Sequence, residues 1–256
     1  MEGLPSVFLP FTLAPERAAL FLDFDGTLAA IVADPDAARP LPEVPQLLAD
    51  LARRFGLVAV VSGRPAAFLR RHLARASGVR LLGLYGLERV TEAGAVVADE
   101  DARRWRPVLT ATVERARARA PAGVRVEPKG LTVTLHWRGA PDAEAWVRAF
   151  CAGERHRVGL SVRAGRLSLE LTPPLPVDKG TVLRSLAAGF AAAACFGDDL
   201  GDLAAFAVLD DLAAAGVAVA KVAVVDAESP AAVAEAADVV VEGPEGAVAL
   251  LGRLLG

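Results

Sequence analysis

The sequence is short of several things. Its 256 residues include 2 cysteines, 1 methionine and only 5% aromatic side chains. Cys151 and Cys195 sit in apolar-looking segments. Two buried thiols in a reducing cytosol are therefore expected, with a single disulfide as the alternative. Neither charge sign dominates, since 28 Lys and Arg face 31 Asp and Glu for a net charge of -3. Such a balance gives no case for nucleic acid or an anionic membrane as the main partner. Long hydrophobic runs are missing too: an uncharged stretch such as Ser185–Gly197 covers 13 residues, where a spanning helix needs roughly 20. The N-terminus has no basic region ahead of its apolar residues and no small-residue cleavage site, so no signal peptide and a cytoplasmic location are expected. No internal repeat or low-complexity linker stands out.

What the chain does have is apolar bulk. Apolar types reach 54%, enough to bury a core and to exclude disorder as the main state. The length suits one large domain, or a medium one with a smaller one attached. Ala19–Phe24 and Leu57–Val61 are near-continuous apolar runs, the mark of strands covered on both faces. Between them Leu47, Leu48 and Leu51 recur with helical period. A helix over 65–74 and a strand Leu81–Tyr85 continue a strand-helix-strand rhythm, which predicts a parallel sheet. The rhythm then changes to helix-strand-strand, twice, and resumes with a helix from Lys179 and a strand Ala192–Phe196. The expected architecture is a Rossmann-like α/β core, residues 1–102 and 174–256, interrupted by an α+β insert over 103–173.

Acids cluster at predicted strand ends, where open parallel sheets place their ligands and catalytic groups. The first strand ends in Asp23-Phe24-Asp25-Gly26-Thr27, and a later one in Gly197-Asp198-Asp199-Leu200-Gly201-Asp202. Asp23-x-Asp25 taken alone fits a solvated acidic turn. Ser62 taken alone fits a helix N-cap, and Lys179 alone a surface charge at a helix start. Together they read differently. Five carboxylates crowded in a low-dielectric cleft repel one another. A hard divalent cation relieves that repulsion, and Mg²⁺ takes one or two carboxylates plus substrate phosphate and water. In the insert, alternation along Leu131–Arg138 and Leu167–Thr172 puts Val133, Leu135, Trp137, Leu167, Leu169 and Leu171 on one face. The other face gathers Arg125, Glu127, His136, Arg138 and Glu170, with Lys129 at the hairpin turn; on pattern alone it is either a solvated face or a binding face.

Asp23-x-Asp25-Gly26-Thr27, Ser62, Lys179 and Gly197-Asp198-Asp199-x-x-Asp202, in that order, resemble the four motifs of the haloacid dehalogenase superfamily of phosphatases. The insert resembles a C2-type cap. Val60-Val61-Ser62-Gly63-Arg64, Gly83-Leu84-Tyr85-Gly86-Leu87-Glu88, Val126-Glu127-Pro128-Lys129-Gly130, His136-Trp137-Arg138, Leu169-Glu170 and Asp178-Lys179-Gly180 resemble the trehalose-6-phosphate phosphatase family. Gly201 and Leu203 depart from that family's fourth motif, which commonly has Thr and Glu there, while all three acids are kept.

The resemblance implies a Mg²⁺-dependent phosphatase that makes trehalose and phosphate, the last step of trehalose biosynthesis. Asp23 is then the nucleophile that becomes an aspartyl-phosphate, and Asp25 the general acid and base. Metal ligands are Asp23, the backbone carbonyl of Asp25, and Asp198, with Asp199 and Asp202 ordering waters and neighbouring groups. Phosphoryl oxygens go to Gly26, Ser62, Gly63, Arg64 and Lys179 beside Asp23, and Thr27 orients Asp25. Glu127, Lys129, Arg138 and Glu170 read the sugar, and His136 is a structural partner. A small-molecule phosphosugar is the expected partner, with no nucleic acid and no membrane, and the chain is expected to be a monomer. Alternatives are a sucrose-phosphate or mannosyl-3-phosphoglycerate phosphatase of the same core, a phosphosugar mutase, and a non-catalytic sensor; a sensor would be expected to have lost an acid.

Overall fold

The computed structural model describes residues 3–32, 34–165, 167–227 and 229–256. It divides into two compact units, one of residues 1–96 and 177–256 and one of residues 97–176.

The first unit is built on a sheet in the order β12-β11-β10-β1-β2-β3-β4-β5. Its strands are β1 (Ala18–Leu22), β2 (Leu57–Val61), β3 (Arg80–Gly83), β4 (Glu88–Val90), β5 (Val96–Ala98), β10 (Ala192–Gly197), β11 (Ala218–Val225) and β12 (Val239–Glu242). The chain leaves the unit within β5. β12, β11, β10, β1, β2 and β3 run parallel to their neighbours, and β3 pairs antiparallel with β4. Alternate residues of each central strand enter different cores. Leu20, Leu22, Val58, Val60, Ala194 and Phe196 join one, while Ala19, Phe21, Ala59, Val61, Ala193 and Cys195 join the other. Burial on both faces is why these strands read as unbroken apolar runs.

Helices cover both faces. α1 (Val44–Arg54) buries Val44, Leu48, Ala49 and Leu51. α2 (Ala66–His72) follows β2. α3 (Arg106–Arg119) and α4 (Glu144–Val158) belong to the second unit and pack within it. α5 (Lys179–Leu186) opens with a capping box, Asp178 accepting from Thr181 N–H and Thr181 Oγ1 accepting from Asp178 N–H. α6 (Leu203–Ala214) and α7 (Gly243–Arg253) also belong to the first unit. Among the described residues no helix is long and apolar enough to cross a membrane. Cys151 and Cys195 are free thiols, both buried.

Two features were not expected. The edge strands β4 and β5 hold only three residues each, too few to show a periodicity. The expected strand Leu81–Tyr85 ends early, at Gly83, because Leu84 and Tyr85 take the left-handed backbone region with φ of 50° and 59°.

The second unit has a four-stranded antiparallel sheet in the order β6-β7-β9-β8. β6 is Arg125–Pro128, β7 Val133–His136, β8 Ser161–Gly165 and β9 Ser168–Thr172. Val133, Leu135, Trp137, Leu169 and Leu171 pack with Leu109, Val113 and Ala116 of α3 and with Val147 and Cys151 of α4. Leu167 was expected on this apolar face. It instead lies in the turn before β9, with φ 49° and 42% exposure, because the alternation runs one residue past the strand.

Candidate active site

Both halves of the acidic cluster lie at carboxyl ends of adjacent strands. β1 pairs with β10 in register, Leu22 opposite Phe196, and Asp23 N–H donates to Phe196 O at 3.0 Å. Asp23 thus leaves β1 beside the Gly197-Asp198 end of β10. The chain then turns at Gly26, where φ is 77°. A Cβ on Gly26 would stand 2.1 Å from Asp198 Oδ2. Only glycine lets the first motif pass so close to the fourth.

Carboxylate oxygens of Asp23, Asp198 and Asp202 lie within 4.8 Å of one another, and all three residues are buried. One ammonium pairs with two of them. Lys179 Nζ sits 3.0 Å from Asp23 Oδ1 and 2.6 Å from Asp202 Oδ1. Burial works against that ammonium, but Asp202 and Asp23 outweigh it and hold Lys179 protonated. The opposite oxygen of Asp202 accepts from the N–H groups of Asp198 and Asp199 at 3.2 and 3.3 Å. Asp202 therefore anchors both Lys179 and the loop that presents Asp198. Asp199 turns its carboxylate onto Gly201 N–H at 2.7 Å. A Cβ at Gly201 would stand 2.9 Å from that oxygen, so glycine eases the turn where the related motif has threonine.

The protonation of the cluster reflects its crowding. Burial pushes Asp23 up to about 6, with Asp199 and Asp25 adding to the rise and Lys179 opposing it. Asp198 is pushed up to about 10 by burial and by Asp23, Asp199 and Asp202. Burial raises Asp202 as well, against Lys179, and three hard oxygen donors raised in this way match what a divalent cation relieves. The residues present fit a divalent metal.

Asp25 is held elsewhere. Its two oxygens accept from Arg64 Nε at 2.7 Å and Arg64 Nη2 at 2.6 Å, a bidentate fork. Arg64 Nη1 donates to Pro35 O at 2.6 Å. Arg64 was expected on a phosphoryl oxygen, and its guanidinium is instead set against Asp25. Thr27 was expected to orient Asp25. It is fully buried, and its hydroxyl bonds to no other described residue, since both Asp25 oxygens face the guanidinium.

Ser62 is buried at the end of β2. It is not the cap of α2, whose first N–H, that of Ala66, donates to Glu88 Oε2 at 2.9 Å. Ser62 Oγ accepts from Arg64 N–H at 3.2 Å, and Tyr85 N–H donates to Ser62 O at 2.9 Å. A Cβ on Gly63 would lie 2.6 Å from Tyr85 Oη. The left-handed Leu84-Tyr85 turn thus packs on the Ser62-Gly63-Arg64 loop. Tyr85 and Glu88 both stand in a motif that the sequence singled out without giving it a role.

The second unit presents its own polar row. Strand register aligns Glu127, Thr134, Glu170 and Arg163 across the four strands. Glu170 is buried, and its Oε1 accepts from Thr132 Oγ1 at 2.7 Å, Thr134 Oγ1 at 3.3 Å and Lys129 Nζ at 3.3 Å. Glu127 Oε2 meets His136 Nε2 at 2.7 Å. Glu127, Lys129 and Glu170 share this face, while Arg138 lies in the turn beyond β7, exposed. Arg163 was missed; its place opposite Glu170 would have shown it once β8 and β9 were paired.

Comparisons with known proteins give the chain's family. A "Trehalose-phosphate phosphatase" of Mycolicibacterium paratuberculosis is 37% identical over 204 residues, 76% of this chain and 52% of that protein. One of Mycobacterium leprae is 33% identical over 221 residues, 80% of this chain and 51% of that protein. The chain spans about half the length of the curated relatives it matches. A solved "trehalose-6-phosphate phosphatase related protein" superposes with a TM-score of 0.77 at 26% identity, covering 93% of this chain and 96% of that one. The Candida albicans trehalose-6-phosphate phosphatase C-terminal domain gives 0.80 at 22% identity, covering 100% of this chain and 99% of that one, a likeness of fold. The profile of the family described as "Trehalose-phosphatase" matches residues 21–238. The chain belongs to the trehalose-phosphatase family.

Proposed function

We propose that this chain hydrolyses trehalose 6-phosphate to trehalose and inorganic phosphate, through an aspartyl-phosphate on Asp23. The observation that carries the reading is the buried group of Asp23, Asp198 and Asp202 around one lysine at adjacent strand ends, in a member of this family. Asp23 attacks phosphorus as the bond from phosphorus to the sugar oxygen breaks. Asp25 gives its proton to that leaving oxygen. Water then attacks the phosphoryl-aspartate, giving a proton back to Asp25, and Asp23 is regenerated as phosphate leaves.

Lys179 keeps Asp23 ionised and offsets phosphoryl charge. Ser62 and the backbone at Gly26 and Gly63 receive phosphoryl oxygens. Mg²⁺ fits Asp23, Asp198 and the Asp25 carbonyl, with Asp202 and Asp199 supporting them, and would supply charge neutralisation at the transferring group. Positioning and charge stabilisation are what proteins chiefly contribute to phosphoryl transfer.

The second unit acts as a specificity cap. Its row of Glu127, Lys129 and Glu170, with Arg138, binds the hydroxyls of the glucose that carries no phosphate. Carboxylates and an ammonium already fixed by neighbours suit that task. Free, buried thiols suit a reducing cytoplasm.

Phosphate release with Mg²⁺ is the test, measured across trehalose 6-phosphate, sucrose 6-phosphate, glucose 6-phosphate and mannose phosphates. Trehalose 6-phosphate is expected to give the highest kcat/KM. Preference for a monosaccharide phosphate would overturn the substrate, and interconversion of isomers without phosphate release would point to a mutase.

A further inference from the structure

We propose that Arg64 is the positioning residue of the acid/base Asp25, and not a ligand of the phosphoryl group. The inference rests on the reading of Asp25 given above. Its basis is a closed ring of contacts. Arg64 forks both oxygens of Asp25 at 2.6 and 2.7 Å. Its guanidinium carbon stands 4.7 Å from the centre of the Phe68 ring. Phe68 meets Phe24 edge to face at 5.6 Å, and Phe24 is the residue just before Asp25. The ring therefore runs Asp25, Arg64, Phe68, Phe24 and back to Asp25.

Other ties fix the bracket from outside. Nη1 is set by Pro35 O. The Arg64 main chain is set by Leu84 N–H on its carbonyl at 2.9 Å, and by Ser62 Oγ. His72 packs on Phe68 at 4.4 Å between centroids. The Arg64 side chain is 11% exposed. A flexible cation that samples phosphate would not need this many restraints, whereas a planar fork matched to a carboxylate does.

The chemistry points the same way. With both oxygens on one guanidinium, Asp25 is held at a fixed place while its side chain stays 33% exposed. One arm of the fork opens in turnover while the other keeps the carboxyl in reach, so that the proton moves over a short, fixed distance. Arg64 thus acts through Asp25.

Leaving groups separate this role from phosphate binding. A sugar alkoxide needs a proton to leave; nitrophenolate does not. Arg64→Ala misplaces the acid without removing it, so it should cut turnover of the sugar ester by about 30-fold, less than the roughly 10²–10⁴-fold of losing the acid or base itself. On p-nitrophenyl phosphate the first step should persist, giving a burst of about one nitrophenol per enzyme before slow turnover, since Asp25 still has to activate water. Inhibition by orthophosphate should change less than about threefold. Added guanidinium should restore about tenfold of the lost turnover to Arg64→Ala and none to Asp25→Asn. Arg64→Lys keeps the charge but cannot fork a carboxylate; it should show the same burst and the same orthophosphate affinity, and it serves if Arg64→Ala fails to fold.

Orthophosphate affinity falling tenfold or more would overturn the proposal in favour of a phosphate ligand. Loss of the burst together with turnover, or no response to guanidinium, would overturn it as well. A wrong choice of sugar would show differently, as a wild-type failure on trehalose 6-phosphate with the nitrophenyl results unchanged. A wrong role for Asp25 would show as turnover retained by Asp25→Asn.

Discussion

The two units bury charge in opposite ways. Residues 97–176 carry 14 Lys and Arg against 9 Asp and Glu, and the rest of the chain carries 14 against 22. In the basic unit each buried carboxylate is matched close by. Glu154 takes Arg115 at 2.7 Å and Arg157 at 2.5 Å, with the Thr112 hydroxyl at 3.1 Å. Glu170 takes Lys129 and two threonine hydroxyls. In the acidic unit three carboxylates are buried together, and Lys179 pairs with two of them, Asp23 and Asp202. Matched charge fixes a scaffold or a hydroxyl-binding face. An excess of one sign, kept in low dielectric, marks the place where an outside cation and a reaction belong.

Removing members of the unmatched cluster should have the largest effect. Asp23→Asn is expected to lower phosphate release by about 10⁴-fold or more, and Asp25→Asn by about 10²–10⁴-fold, with both variants still cooperatively folded. Near-normal turnover by either folded variant would break the comparison at its centre. Exhaustive chelation should abolish activity, and Mg²⁺ should restore it. Excess Ca²⁺ should inhibit, because it accepts more ligands in looser geometry.

Next come the matched groups of the basic unit that are proposed to bind the sugar. Glu127→Ala, Glu170→Gln and Lys129→Met should each reduce kcat/KM on trehalose 6-phosphate by about 10²-fold, as hydrogen bonds to charged groups contribute about 1.5–3 kcal/mol. Turnover of p-nitrophenyl phosphate should change little. Equal losses on both esters would mean these residues serve the scaffold alone. Glu154 should behave as pure scaffold: Glu154→Ala leaves two arginines facing each other's charge and should cost about 3 kcal/mol of stability. Activity per folded molecule should stay unchanged, read by denaturant titration beside the assay.

The smallest effect is one of pH. Asp23 and Asp198 have folded values, about 6 and about 10, above the ordinary 3.8. Each therefore favours the fold most fully below 3.8. That contribution is lost as pH rises through about 6 for Asp23 and through about 10 for Asp198. Metal-free protein should melt at lower temperature at pH 8 than at pH 5, and Mg²⁺ should narrow the difference. A flat or rising melting temperature without metal would show that the carboxylates are not crowded as described.

Much of this was legible because its signals are local. Asp23, Asp25, Ser62, Lys179 and Asp198 each sit at the end of an apolar run or at a helix start, and a parallel sheet brings such ends to one edge. The alternation that separates Trp137 from His136 is likewise local. What escaped depends on partners far apart in sequence. The Arg64–Asp25 fork spans 39 positions, and its geometry needs Pro35 and Phe68 as well. Arg163 gains meaning only through its register opposite Glu170. The turn at Leu84 and Tyr85 defied prediction because neither is a glycine, and the strand pattern ran straight through them. Leu167 misled for the converse reason, continuing an alternation that the backbone had already left.

The excess of buried carboxylates is tested most directly by calorimetric titration of metal-free protein with Mg²⁺. Saturable binding at one site is expected, with protons released near pH 6 as Asp23 and Asp198 ionise, and loss of that binding in Asp198→Asn. Absence of saturable binding in the wild type, or equal binding in Asp198→Asn, would contradict it.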